Sequence, residues 1–280
     1  MPDIADFDCD AFVRATLVED LGEGGDITSA AVIPAAARFV GVMDSREPVV
    51  VAGLEIAAAF FRALDPDVEI ALLAADGDRV AAGADLMRLN GKARAMLTAE
   101  RSALNIMQHL TGIATMTRAY VDVIRGTGAT LLDTRKTIPG LRVLEKYATR
   151  MGGATNHRMR LDDGAMIKDN HVAVAGGVGE AVRRAVAAGI GRIIVEVDRV
   201  EQIEPAIAAG ATHLLLDNMD PPTLRGAVTL IGGRVPTEAS GGVRLDNIRA
   251  IAATGVTYIS AGRITQSAPA ADIGLDFEAL

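Results

Sequence analysis

The pattern of apolar positions changes along this chain at residue 127, from mixed helices and strands to a β-α alternation. Before it, residues 8–21 (DCDAFVRATLVEDL) set Phe12, Leu17 and Leu21 near helical spacing, and the breaker-rich GEGGDIT that follows predicts a loop. RFVGVMDSREPVVVAG reads as two strands around a charged turn carrying Arg46, and LEIAAAFFRAL as a helix. Residues 68–89 alternate short apolar runs with Gly-Asp turns, which predicts β-sandwich scaffolding. Part of that stretch, GDRVAAGADLMRL, looks like the turn of a lipoyl or biotinyl carrier, but a carrier needs a lysine at its hairpin tip and the first lysine is Lys92. In LTAERSALNIMQHLTGIATMTRAYVDVI, Leu104, Met107, Leu110, Ile113 and Ala114 fall at steps of three and four, the stripe of a long amphipathic helix. Arg101 sits in its first turn, where the helix dipole mildly disfavours a cation, so it is either simply exposed or held there for an anionic partner.

Past residue 127 strand-like runs end at Asp133, Lys168, Glu196 or Val197, Asp217, Glu238 and Ser260. The last four ends lie about 21 residues apart, and the helix-like VGEAVRRAVAAG, VEQIEPAIAAG, PPTLRGAVTLIG and RLDNIRAIAATG fill the gaps. Short apolar strands alternating with amphipathic helices indicate a parallel sheet. Six such units in series favour a closed or nearly closed barrel over an open doubly wound sheet. No clear eighth strand follows, and no GxGxxG opens the first unit.

Composition narrows the function classes. Half the residues are apolar, yet no run approaches the roughly 18 uncharged apolar residues of a membrane span; the best candidate, VVVAGLEIAAAFF, carries Glu55. The acidic MPDIADFDCD lacks the basic and apolar regions of a signal peptide, so a cytoplasmic protein is expected. The single Cys9 excludes an intramolecular disulfide and reads as a small apolar residue. A formal charge of −8, no tryptophan and 3% aromatic residues argue against a nucleic-acid surface and for small-molecule partners.

Against that acidic background the stretch Leu131–His171 is cationic. Between Arg135 and Lys168 eight Lys or Arg stand against three acids, a local +5 that favours small anions. In a barrel the strand ends converge on one mouth. Asp133, Arg135, Lys136, Lys168, Glu196, Asp217 and Ser240 are therefore expected around one pocket. Guanidinium forks suit carboxylates and phosphates, and lysine adds a mobile charge, which makes Arg135, Arg158 and Lys136 the leading anion binders. Ser240-Gly241-Gly242 and Ala261-Gly262-Arg263 follow the last two strands, where barrels commonly bind phosphate through backbone N–H groups; a mere tight turn is the plainer reading of SGG. Glu196 and Asp217 are either salt-bridge partners or carboxylates for ribose hydroxyls or Mg²⁺. His157 and His171 invite a zinc reading, but no HExxH and no cysteine cluster accompanies them.

TRKTIPGLRVLEKYATRMGG, NHRMRLDDGAMIKDNH, LLLDNM, EASGG and ISAGRITQSAPAADIGL, with ERSALN and EDLGEGGDIT, together resemble the quinolinate phosphoribosyltransferases over nearly the whole chain. The resemblance implies an α/β protein with an N-terminal α/β sandwich domain over residues 1–110 and an incomplete (β/α) barrel over residues 111–265, with the tail 266–280 packing back on the sandwich. It implies the reaction of quinolinate with phosphoribosyl pyrophosphate, with Mg²⁺, to nicotinate mononucleotide, pyrophosphate and carbon dioxide in NAD biosynthesis. It assigns Arg135, His157, Arg158 and Lys168 to quinolinate and places Lys136 between the substrates. Glu196 and Asp217 take the ribose and metal role, and Ser240, Gly241, Gly242, Ala261 and Gly262 the phosphate site. A homodimer, or a hexamer built from it, would bring Arg101 to the dicarboxylate in the partner's pocket, with Arg46 also entering across that interface. Family members commonly read THSAP where this chain has Gln266 in place of the histidine; glutamine still donates a hydrogen bond. Two rivals remain: a molybdenum-associated relative that shares TRKT-like sequence, and a non-catalytic sugar-phosphate-binding barrel.

Overall fold

A computed structural model describes residue 4 and residues 7–279. The chain divides into two compact units. One consists of the chain up to Met116, Val143–Gly153 and the segment from Ala268 onward; the other of Thr117–Arg142 and Ala154–Ser267. The resemblance implied boundaries after residues 110 and 265, and nothing in the sequence pattern marked Val143–Gly153 as part of the first unit.

The first unit opens with helix Cys9–Leu21, capped by Asp8, whose side chain accepts from Ala11 N–H at 2.8 Å. GEGGDIT is not wholly loop: Asp26 caps a second helix, Ile27–Val32, by accepting from Ser29 N–H. Five strands follow, β1 (Arg38–Ser45), β2 (Val49–Val50), β3 (Glu69–Leu72), β4 (Arg79–Val80) and β5 (Ala84–Lys92). β5 pairs antiparallel with both β1 and β3, and β2 with β4. Helix Leu54–Leu64 buries Leu54, Ile56, Phe60 and Phe61. The long helix Ala93–Ile124 supplies Thr111 and Thr115, whose hydroxyls accept from Ala52 and Val50 N–H at 3.2 and 2.8 Å. Val143–Gly153 belongs here through polar contacts. Glu145 meets His109 at 2.9 Å and the Tyr147 hydroxyl donates to Asp76 at 2.5 Å, while Asp76 also accepts from Gly53 and Leu54 N–H at the start of that unit's apolar helix.

The second unit is a six-stranded sheet of β6 (Thr130–Leu132), β7 (Ala165–Ile167), β8 (Ile193–Val197), β9 (His213–Asp217), β10 (Thr237–Ser240) and β11 (Tyr258–Ser260). Its order is β6-β11-β10-β9-β8-β7 and every pairing is parallel. Helices Val178–Ala187, Ile203–Ala209, Pro221–Ile231 and Ile248–Ala252 fill the connections. Among the described residues nothing pairs β6 with β7, and Leu132 makes only an isolated parallel bridge to Thr155, so the barrel is incomplete. β10 ends at Ser240 rather than at Glu238, which lies inside the strand and is fully buried.

The chain then returns to its beginning. β12 (Ile273–Ala279) runs antiparallel along β1, from Phe39 opposite Ala279 to Ser45 opposite Ile273. Gln108 fixes the approach, its Nε2 donating to Ile273 O at 2.7 Å and its carbonyl accepting from Ala271 N–H at 3.0 Å. Gly112 makes room, since a Cβ there would fall 1.9 Å from Pro269 O. No helix among the described residues is long and apolar enough to cross a membrane.

Candidate active site

The carboxyl ends of β6 to β11 surround a pocket of about 750 Å³, within the range of small-molecule sites. Of the residues assigned to ligands from sequence, Arg135, Lys136, His157, Arg158, Lys168, Glu196, Asp217, Ser240, Gly241, Gly242 and Gly262 line it. Ala261 does not: it is buried, and its N–H donates to Leu132 O. Arg101 lies in the first unit, exposed beside Asp20, Asp26 and Thr98 in a shallow depression of about 280 Å³. Arg46, also in the first unit, lies flat on Gly274, where a Cβ would come within 2.4 Å of its guanidinium. Of the eight cations that made Leu131–His171 look basic, only Arg135, Lys136, Arg158 and Lys168 face the pocket. Arg142 is turned to Thr137 Oγ1 and Met159 O, Arg160 pairs with Asp162, and Lys146 and Arg150 belong to the first unit.

The NHR segment is set by Asp133, the residue after β6. Its carboxylate accepts from His157 N–H at 2.8 Å and from Asn156 Nδ2 at 2.5 Å, so it holds the loop rather than a ligand. Arg158 is anchored by Nη1 to Gly164 O at 3.0 Å. Burial, then repulsion from Arg135, draws its guanidinium below the usual arginine range. Arg135 Nε is itself buried without a hydrogen-bond partner. Two guanidiniums near each other with a donor unsatisfied describe a site made for an anion.

Beneath them lies Glu238. His157 Nε2 is 3.3 Å from its Oε2 and His213 Nε2 3.0 Å. Because His157 Nδ1 accepts from Arg158 N–H at 2.7 Å, Nε2 carries the ring proton and donates to Glu238. Burial pushes the Glu238 carboxyl up, but the facing His157 N–H, His213 at 3.0 Å and Ser260 outweigh it and bring it down to about 2.

Across the pocket Lys168 forms a short ion pair with Glu196. His171 is accounted for by structure: its Nδ1 accepts from Lys168 N–H and caps helix Asp169–Ala175. Asp217, at the end of β9, has no ion-pair partner among the described residues, and its carboxyl is raised by burial and then by the Glu196 charge, partly offset by Lys168, Asn218 and Lys136. The register sets Asp217 directly beside Ser240, where Gly241 and Gly242 turn with φ of 88° and 60°. Both glycines line the cavity and bring no side chain to it. Lys136 lies over Gly262, where a Cβ would come within 2.7 Å of its Cδ, and Thr265 Oγ1 donates to Lys136 O, locking that loop to helix Arg263–Gln266.

The chain that carries this pocket is matched by known proteins over nearly its whole length. Residues 26–111 match the N-terminal and residues 113–276 the C-terminal domain of quinolinate phosphoribosyl transferase. The chain belongs to the quinolinate phosphoribosyltransferase family. It is 44% identical over 271 residues to the carboxylating nicotinate-nucleotide pyrophosphorylase of Mycobacterium leprae, an alignment covering 94% of this chain and 95% of that protein. Identity to the probable carboxylating nicotinate-nucleotide pyrophosphorylase of Bacillus subtilis is 42%, over 92% of this chain and 90% of that one. The solved nicotinate-nucleotide pyrophosphorylase from Francisella tularensis superimposes with a TM-score of 0.93 at 37% identity, covering 99% of this chain and 100% of that chain.

Within this quinolinate phosphoribosyltransferase pocket, Glu238, Asn218, Arg244, Arg263 and Gln266 also face the cavity. Glu238 escaped sequence reading as a site residue because a buried acid inside a strand looks like a strand end. Asn218 had a visible signal, its place directly after the strand-end Asp217.

Proposed function

We propose that the protein transfers the phosphoribosyl group of phosphoribosyl pyrophosphate to the ring nitrogen of quinolinate. Pyrophosphate leaves, the carboxylate next to that nitrogen departs as carbon dioxide, and nicotinate mononucleotide remains for NAD biosynthesis. The observation that carries this reading is the Arg135–Arg158 pair, with a buried guanidinium N–H left unsatisfied in a pocket large enough for two anions. Arg135 and Arg158 hold the dicarboxylate; Lys136, fixed over Gly262, sits where two anionic substrates have to meet and offsets their repulsion. As pyrophosphate leaves, positive charge develops on ribose, and the Asp217 carboxylate, free of any ion pair among the described residues, stabilises it. A purely structural role for both acids suits Glu196, paired with Lys168, but not Asp217. That difference favours the enzyme over a sugar-phosphate-binding barrel.

Glu196 and Asp217 lie on adjacent strands, close enough for one charge to raise the other's carboxyl, and this fits a Mg²⁺ ion that keeps most of its waters. When bound, Mg²⁺ would neutralise pyrophosphate charge. The protein acts in the cytoplasm as a homodimer in which Arg101 serves the partner's pocket; the exposed Val18, Ile27 and Val32 of the first unit supply apolar surface for such a contact. Incubating the pure protein with quinolinate, phosphoribosyl pyrophosphate and Mg²⁺ tests the reading. Nicotinate mononucleotide and carbon dioxide should appear in equal amounts, and release of neither would refute it.

A further inference from the structure

Among the described residues Asn218 is the one non-glycine with a positive φ, 55°. Left-handed backbone is disfavoured for any residue with a Cβ and persists where its surroundings impose it. Here the surroundings are two parts of the pocket. The Asn218 N–H donates to Ser240 O at 2.9 Å, joining the ends of β9 and β10, and its Nδ2 donates to Asp217 Oδ2 at 2.6 Å. Its Oδ1 fills the space a side chain at position 241 would need, 2.1 Å from where a Cβ on Gly241 would stand. A single planar amide thus touches the Asp217 carboxylate on one side and the glycine turn on the other. The far side of that turn is held separately by Asn247, which donates to Gly242 O at 3.0 Å and accepts from Arg244 N–H at 2.8 Å.

We propose that Asn218 is a positioning residue that fixes the Asp217 carboxylate against the Ser240–Gly242 turn, so that the group facing ribose and the group facing phosphate are placed as one unit. The proposal rests on the reaction proposed above. Asparagine suits the position because it tolerates left-handed backbone and carries a donor and an acceptor on one rigid plane. Aspartate would match its shape but lose the donor and add negative charge beside Asp217 and Glu196. Glycine would keep the backbone and remove the amide.

Asn218→Gly is therefore expected to fold with an undiminished melting temperature and an unchanged KM for quinolinate. Its kcat should fall by about 10- to 100-fold, the scale of a small misplacement at a reacting centre, and its KM for phosphoribosyl pyrophosphate should rise. Asn218→Asp should be no more active, and it carries the same test should the glycine variant fail to fold. Asn247→Ala, which loosens only the turn, should raise the KM for phosphoribosyl pyrophosphate with a smaller loss of kcat than Asn218→Gly. A crystal structure of the Asn218 variant reads the Asp217 rotamer without any turnover. A carboxylate swung from its place supports the proposal; an unmoved carboxylate, or wild-type kinetics in the variant, overturns it. Absence of nicotinate mononucleotide from the wild type would sink the reaction assignment alone, and the rotamer would still decide the role of Asn218.

Discussion

Two like charges facing one cavity repel until an anion arrives, and Arg158 is kept beside Arg135 by its bond to Gly164 O. Replacing either by alanine should weaken quinolinate binding by about 2–4 kcal/mol, the scale of a lost charge-assisted pair in a partly dry site. Calorimetry measures this directly, and full affinity in both variants would take the two arginines out of the ligand set. Glu238 gives a pH-dependent counterpart. Its carboxyl lies at about 2 in the fold against an ordinary 4.5. A depressed carboxyl stabilises the fold fully above its ordinary value and loses that contribution as pH falls from 4.5 toward about 2. Glu238→Gln should thus be less stable than wild type at neutral pH, with the gap narrowing across that acid range. A gap in denaturant midpoint that stays constant down the range would show that the charge is not what stabilises this site.

At the scale of elements, Gly112 is the glycine with the least room for a Cβ among the described residues of the first unit. A Cβ 1.9 Å from Pro269 O cannot be absorbed by a flexible side chain, because the obstacle is backbone. Gly112→Ala should destabilise the protein by about 1–3 kcal/mol, seen as a lower melting temperature; an unshifted transition would mean that Pro269 gives way freely. Elements were legible where an apolar run stops abruptly at a charge, as at Asp133, Lys168 and Asp217. They were obscured where the deciding partner is remote. RVLEKYATRM carried no element in the sequence reading, yet it is a helix whose Leu144–Thr149 are all buried, with Glu145 and Tyr147 finding His109 and Asp76 far back in the chain. Likewise GEGGDIT looks like pure loop until Asp26 is seen capping Ile27–Val32. The site's cations were legible as a cluster, but not which of them turn inward. Arg142 and Arg160 carry the same charge as Arg135 and differ only in the loop carbonyl or acid that claims them.

For the whole molecule, the shared-site reading has a direct consequence in mixtures. Arg101→Ala and Lys136→Ala should each be nearly inactive, since one is proposed to act across the dimer and the other within its own barrel. After random subunit exchange, activity should recover to about a quarter of wild type, because a heterodimer has one intact site and one doubly defective site. Mass spectrometry can verify that heterodimers form; their formation without recovery would confine Arg101 to its own subunit. The pairing of β12 with β1 bears on how such a chain is made. The strands of the barrel lie between β5 and β12 in sequence, so every barrel strand leaves the ribosome before the first unit can fill the edge of its own sheet. Until residues 273–279 emerge, β1 has one side unpaired, and the half of the protein that is synthesised first is the half that finishes folding last.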